Sequence, residues 1–288
     1  MMRVAVALTL VAVARSALPS TASAQCVPPS GTNDAKLLAF YEAPIAFTLG
    51  GAPERLTRGE VRVGAELTGI PHPGDIEAPE YCYRGGTENT RLAPVFPRPR
   101  LAVGLGRGLF VEASYVPPVS LFDAEPHLGS LAVGHVRTLR QSPNGRETLL
   151  TVRAHATLGR VRGAITCPRD ALQSSDPNGP CFGQRSSSDT FRPHMFGAEA
   201  AVGTSRGGGT IAFYGGAGVT WLRPRFKVGF TDNTGYIDST RVEVNLTRLT
   251  LLGGATWRFV RTVALSAQIY SVPRDVTTWR VGADYRIR

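Results

Sequence analysis

Lysine is nearly missing from this chain: of 32 basic residues only Lys36 and Lys227 are lysines, the rest arginines. Beyond the N-terminus there is also no unbroken apolar run of about 18 residues, which excludes a membrane-spanning helix there. That absence leaves membrane strands open. A barrel strand shows lipid only every second residue, so hydropathy averages away. Mean hydropathy of −0.05 and a hydrophobic fraction of 42% fit such averaging, and fit a soluble β protein equally. No close Cys/His pair has zinc-ligand spacing, so no metal is expected. Gly207-Gly208-Gly209 and the Gly104–Gly108 stretch read as turns with no helix after them, so no phosphate loop and no cofactor are expected.

Residues 1–24 read as a signal peptide. Arg3 gives the positive end, Val4 to Val13 the apolar run, and Ala22-Ser23-Ala24 a small-residue cleavage site before Gln25. The four cysteines of an exported chain suggest two disulfides. Cys167 and Cys181 flank a Pro/Ser/Asp/Asn/Gly segment that reads as a loop pinned at its base, which leaves Cys26 for Cys82.

Residues 25–59 do not alternate. Asn33 and Asp34 are placed to cap a short helix through Leu37, Leu38 and Phe40, ended by Pro44. From residue 60 onward the hydrophobic period is two, over ten stretches: 60–70, 99–106, 108–116, 128–139, 147–162, 192–204, 210–228, 238–258, 261–271 and 276–288. In the fifth, for example, Leu150, Val152, Ala154, Ala156 and Leu158 oppose Thr151, Arg153, His155 and Thr157. A one-residue slip of the pattern around Thr247-Arg248 predicts a β-bulge.

The connections alternate in length. Tight ones at 106–108, 142–145, 206–209 and 259–261 are interleaved with longer ones near 71–98, 117–127, 163–191 and 229–238. Short turns at one end and long loops at the other are the habit of outer-membrane barrels. Aromatics fall at both ends of lipid-facing rows: Tyr115, Phe196, Trp221 and Trp279 on the loop side, Trp257 and Tyr285 on the turn side.

The C-terminal run Arg280-Val281-Gly282-Ala283-Asp284-Tyr285-Arg286-Ile287 resembles the assembly signal of Gram-negative outer-membrane β-barrels. Gly282, Tyr285 and Ile287 carry the likeness; Arg288 departs from it, since such chains usually end on Phe or Trp. The resemblance implies export, recognition by barrel-assembly machinery and an outer-membrane location. The expected fold is all-β: a closed antiparallel up-and-down transmembrane barrel of ten strands over 60–288, preceded by the 25–59 segment. A soluble periplasmic ligand-binding barrel is the rival fold, and it would carry charges along its outer face.

One set of ionisable residues falls on the lumen-facing phase: Arg62, Glu66, Glu112, Arg153, His155, Glu199, Arg280, Asp284 and Arg286. Ten strands enclose a narrow interior largely filled by side chains, so a cross-barrel ion-pair network is expected there. Bonding of Cys26 to Cys82, in an external loop, would require residues 26–58 to cross the lumen as a plug or wrap the outside; a free periplasmic tail is the alternative. The functional expectation is a non-enzymatic structural barrel, or a narrow plugged porin-like channel for small or apolar solutes. Surface-loop binding or adhesion is a second class. A membrane-embedded hydrolase, using loop residues such as Asp75, Asp123, Asp232, Asp238, His72 or His127, is a third. With a net charge of +10, expected partners are outer-membrane lipids and lipopolysaccharide phosphates, for which arginine is well suited, and not nucleic acid. A GC-rich genome accounts for the arginine excess equally well.

Overall fold

Along every long strand, polar or small side chains alternate with exposed apolar ones, and the polar set is the buried one. The computed structural model describes residues 25–73, 81–82, 94–120, 124–143, 145–205 and 210–287. Its main strands are β1 (Val61–Gly69), β2 (Val95–Gly106), β3 (Leu109–Val116), β4 (Ala124–Gln141), β5 (Glu147–Gly163), β6 (His194–Ser205), β7 (Ile211–Leu222), β8 (Leu246–Val260), β9 (Val263–Val272) and β10 (Val276–Arg286). Each pairs antiparallel with the next, and β10 returns to β1 from Trp279↔Gly69 to Arg286↔Arg62. The ten strands therefore close on themselves without an edge, and this is the closed ten-strand barrel expected from the alternation.

The exterior is apolar. Phe213 is 64% exposed, Ile269 61% and Leu131 58%, whereas Thr151 is fully buried and Arg153 nearly so. Outward positions of β5, β7, β9 and β10 include Val152, Leu158, Val219, Leu265, Val281 and Tyr285, with no charge in their central stretches. That inverts the rule for water-soluble proteins and suits hydrocarbon, where a closed barrel satisfies every strand N–H and C=O. The soluble periplasmic rival predicts charges on this face and is set aside. Exposed aromatics rim both ends: Tyr115, Trp221 and Trp279 near the loops, Trp257 and Tyr285 near the turns. Trp279 lies flat across Gly69, where a Cβ would fall 1.9 Å from the indole, so only glycine admits the ring.

Strand limits follow the pattern closely in the membrane zone and depart from it above. The alternation places β5 at 147–162, and the strand runs Glu147–Gly163. β2 starts at Val95 rather than 99, because Pro97 and Pro99 read as breakers yet sit in pairs with Leu67 and Ala65. The bulge expected at Thr247-Arg248 is absent: Leu246↔Leu222 through Leu249↔Val219 pair without a shift. Val242, Val244 and Leu246 are buried and face inward, while Leu249 and Leu251 face out. The phase is continuous, and the apolar side changes from core to lipid as the chain descends. Register shifts occur instead at Gly104/Gly106, Thr138/Arg140 and Arg258/Val260, each beside a short turn.

Above the loop-side rim, β5 continues into an outer sheet: Asp189–Arg192, Arg225–Lys227, Arg241–Glu243 and Gln25–Cys26. Its inner face carries Phe191, Phe226 and Val242, which join Leu38, Ala39 and Phe40 of helix α1 (Asn33–Glu42) in one core. Thr32 caps the helix, its hydroxyl accepting from Ala35 N at 3.4 Å. Asp34, expected as a cap, accepts instead from the Tyr81 and Cys82 amides at 3.1 and 3.0 Å. Both expected disulfides, Cys26–Cys82 and Cys167–Cys181, are formed. The signal peptide, Asp75, Asp123 and the turn at 206–209 lie outside the described residues.

Candidate functional site

After α1 the chain turns through Ala43–Ile45 and descends extended through the barrel. An extended strand inside a barrel has no sheet partner, so its backbone polar groups need side-chain partners. They have them. Arg280 Nη2 donates to Pro44 O at 3.1 Å, Arg98 to Ile45 O, and both arginines to Ala46 O at 2.9 Å. Arg153 donates to Phe47 O at 2.8 Å and Arg100 to Thr48 O at 2.9 Å. Gln268 donates to Leu49 O at 3.0 Å and the Ser266 hydroxyl to Gly50 O at 2.7 Å. Every carbonyl from Pro44 to Gly50 is thus held by the wall. On the donor side, Leu49 N reaches Glu199 at 2.7 Å and Ala52 N reaches Thr256 at 2.8 Å.

The arginines that grip this strap are themselves paired. Glu66 takes Arg100 at 2.6 Å, with Arg98 and Arg280 at 3.7 and 3.8 Å. Glu112 takes Arg100 at 3.0 Å and Arg153 at 2.6 Å, and Arg153 reaches Glu199 at 2.8 Å. Four guanidiniums face three carboxylates in this chain of contacts. An arginine has five N–H donors, more than the carboxylates absorb, and the strap carbonyls accept from Nη atoms of all four. The buried ring of Phe47 lies under Arg100, Arg153 and Arg98, whose guanidinium carbons are 4.5, 5.2 and 5.4 Å from its centroid. Apolar bulk, charge and backbone therefore interlock at one level of the lumen.

At the turn end the strap is anchored a second time. Glu54 pairs with Arg62 and Arg286, each at 2.7 Å, and with Arg258. Glu60 takes Arg62 at 2.8 Å and Arg286 at 3.0 Å. The strap then leaves past Gly104, where a Cβ would meet Thr57 O at 2.1 Å. Cavities of 80 Å³ and 260 Å³ flank Ala52–Glu54, the smaller lined by Asp284, Glu112 and Arg62, the larger by Arg258 and Glu147.

Of the lumen residues singled out above, Arg62, Glu66, Glu112, Arg153, Glu199, Arg280 and Arg286 lie in these ion pairs. His155 and Asp284 do not. The His155 ring packs where a Cβ on Gly197 would come within 2.3 Å, and no ion pair reaches Asp284 among the described residues. Alternation alone did not single out Arg98, Arg100, Gln268 or Glu54. Arg100 already stood on the inward phase with Ala102 and Gly104 within 99–106, and Arg98 shares that phase, so extending β2 past its prolines is the signal that finds Arg98. At the C-terminus, Gly282 pairs with Glu66 and Tyr285 with Val63, and Ile287 N reaches Val61 O at 2.9 Å, so the ending seals the barrel. The loop residues do not converge. Asp232 accepts from Thr234 and Tyr236 within its own turn, Asp238 from Thr240, and His127 packs edge-on to Tyr115. No cluster of His, Cys, Asp or Glu suited to a metal occurs among the described residues.

No family model and no curated protein matches the chain. Among solved structures it is similar to the outer-membrane protease OmpT of Escherichia coli, with 8% identity, TM-score 0.41, and coverage of 84% of this chain and 99% of that one. Ail, the attachment invasion locus protein of Yersinia pestis, aligns at 12% identity and TM-score 0.28, over 80% of this chain and 100% of that one. Neisserial surface protein A aligns at 10% identity and TM-score 0.27, over 79% and 96%. Likeness this distant carries no functional argument; the architecture rests on the barrel's own pairing and exterior.

Proposed function

We propose that this chain is a non-enzymatic outer-membrane barrel kept shut by its own N-terminal strap. It is a structural wall element that opens, if at all, as a narrow passage for small solutes. The supporting observation is the unbroken set of wall-to-carbonyl hydrogen bonds from Pro44 to Gly50. A solute moving through would have to displace these bonds together with the Glu66–Arg100–Glu112–Arg153–Glu199 chain. An opening event therefore requires the strap to shift as a unit.

Planar-bilayer recording tests this reading. The full chain should show no stable conductance steps. A variant lacking 25–56 that keeps heat-modifiable gel mobility should show them. Steady conductance of the full chain equal to that of the deletion variant would overturn the proposal.

Surface binding is the second reading. It is favoured by the outer sheet, which raises two disulfide-braced segments clear of the membrane zone. Binding assays on a variant lacking 168–180 test it: ligand capture by the intact surface should vanish with the loop.

A further inference from the structure

The outer sheet continues the lipid-facing phase of the wall below it. On β5 the outward row passes from Val152 and Leu158 to Arg160 and Arg162, and beyond Phe196 it reaches Arg192. Beyond Trp221 the outward side chains are Arg223, Arg225 and Lys227, and beyond Leu249 the row ends in Arg241. The change from apolar to basic comes just above the aromatic rim, the depth of lipid headgroups.

Five of these seven cations are linked by strand register. Arg162 faces Thr190, Thr190 faces Lys227, and Lys227 faces Arg241 across successive strands, while in the adjoining row Arg192 faces Arg225. Two of those cross-strand pairs, Arg192↔Arg225 and Lys227↔Arg241, set cation against cation, which destabilises a sheet unless an anion lies between. Protein anions are few here: Glu243 beside Arg225 at 2.6 Å and Glu125 opposite Arg162. Among the described residues only Arg225 of the seven is ion-paired. The opposite wall contrasts: the outward loop-side positions Gly69, Val95, Pro97, Ser271 and Thr277 of β1, β2, β9 and β10 carry no charge. Net charge alone does not account for a basic field on one wall at headgroup depth.

We propose that this face is a binding site for the phosphate groups of a phosphorylated glycolipid in the outer leaflet. The acyl chains lie along β5–β8, and the phosphates bridge the two like-charged pairs. Forked guanidiniums hold phosphate oxygens bidentately, which a diffuse headgroup attraction does not require. The site depends on the barrel's membrane placement and is independent of whether the lumen conducts.

Native mass spectrometry of the folded full chain, released from detergent micelles, tests the proposal. The probes are lipid A with both phosphates, lipid A stripped of phosphate, and inorganic phosphate alone. The bisphosphorylated lipid should be retained at least tenfold better than the stripped one, and inorganic phosphate should not be retained. Replacement of Arg162, Arg192, Arg225 and Arg241 together by glutamine should abolish that preference, while Arg137→Gln with Arg140→Gln at the turn end should leave it unchanged. If the four-site variant fails to fold, Arg192→Gln and Arg241→Gln singly should each reduce retention at least threefold. Equal retention of both lipids, retention of inorganic phosphate, or full preference in the folded variants overturns the site.

Discussion

Arg153 and Glu199 face each other across β5 and β6, 2.8 Å apart inside the barrel, and each also holds the strap, through Phe47 O and Leu49 N. Breaking a buried pair by removing one member leaves an uncompensated charge and costs about 3–5 kcal/mol. Glu199→Leu should therefore lower stability to urea in micelles by about 3 kcal/mol, within that range. The double replacement Arg153→Met with Glu199→Leu should recover part of the loss. A single variant as stable as the parent would mean that the pair is not holding the strap.

Glu42, the last residue of α1, is buried, and burial pushes its carboxyl well above the ordinary carboxylate range, against the opposing pull of the Arg223 and His194 amides. The native chain therefore binds this proton more tightly than the unfolded chain, whose carboxyl titrates near the ordinary glutamate value of about 4.5. The contribution is complete below that value and is lost as pH rises through the raised folded one. Protection of 33–42 in hydrogen exchange, corrected for intrinsic rates, should weaken from mildly acidic toward neutral pH. Glu42→Gln should flatten the dependence. A parent profile already flat would exclude this source of pH sensitivity.

Charge on the exterior should be poorly tolerated in the middle of a strand. Val152→Arg and Ala267→Arg place a guanidinium where the side chains are now outward and apolar. In a bilayer each should cost about 2–4 kcal/mol, the range for arginine at the midplane of a barrel. Arg at Leu139, near the turn end of β4, should cost less. Folding titrations in lipid vesicles measure the difference, and equal tolerance at all three positions would remove the hydrocarbon from the account.

The Cys26–Cys82 bond ties the start of the strap segment to the loop end across 56 residues of sequence. A bridge closing a loop of that size contributes about 2–4 kcal/mol. Cys26→Ser with Cys82→Ser should lower stability by that order and loosen α1. It should leave the strap seated, because the carbonyl grip from Pro44 to Gly50 is independent of the bond. Limited proteolysis distinguishes the cases: cutting near 27–32 is expected, whereas cutting at 46–52 would show that the tether holds the strap.

Much of the barrel was legible because lipid imposes one rule on one face. Wherever outward residues meet hydrocarbon they are apolar, and β5, β9 and β10 could be bounded from that alone. The rule lapses above the membrane. Phe226, Val242 and Val244 are apolar because they cover α1, so the same alternation with its faces exchanged looked like a bulge at Thr247-Arg248. Prolines 97 and 99 hid the start of β2 and with it Arg98. The strap was the hardest part to read: its backbone is recognised by side chains from distant strands, and hydrogen bonds to carbonyls leave no trace in the residues that accept them.

The central claim, that alternate side chains of one strand touch lipid and lumen, is tested most directly by nitroxide labels along β5 in bilayers. Labels at 152, 154 and 156 should be accessible to oxygen and shielded from a water-soluble nickel complex, while labels at 153, 155 and 157 should be shielded from both. Nickel access at 152 and 154, with no period of two along the strand, would contradict the account.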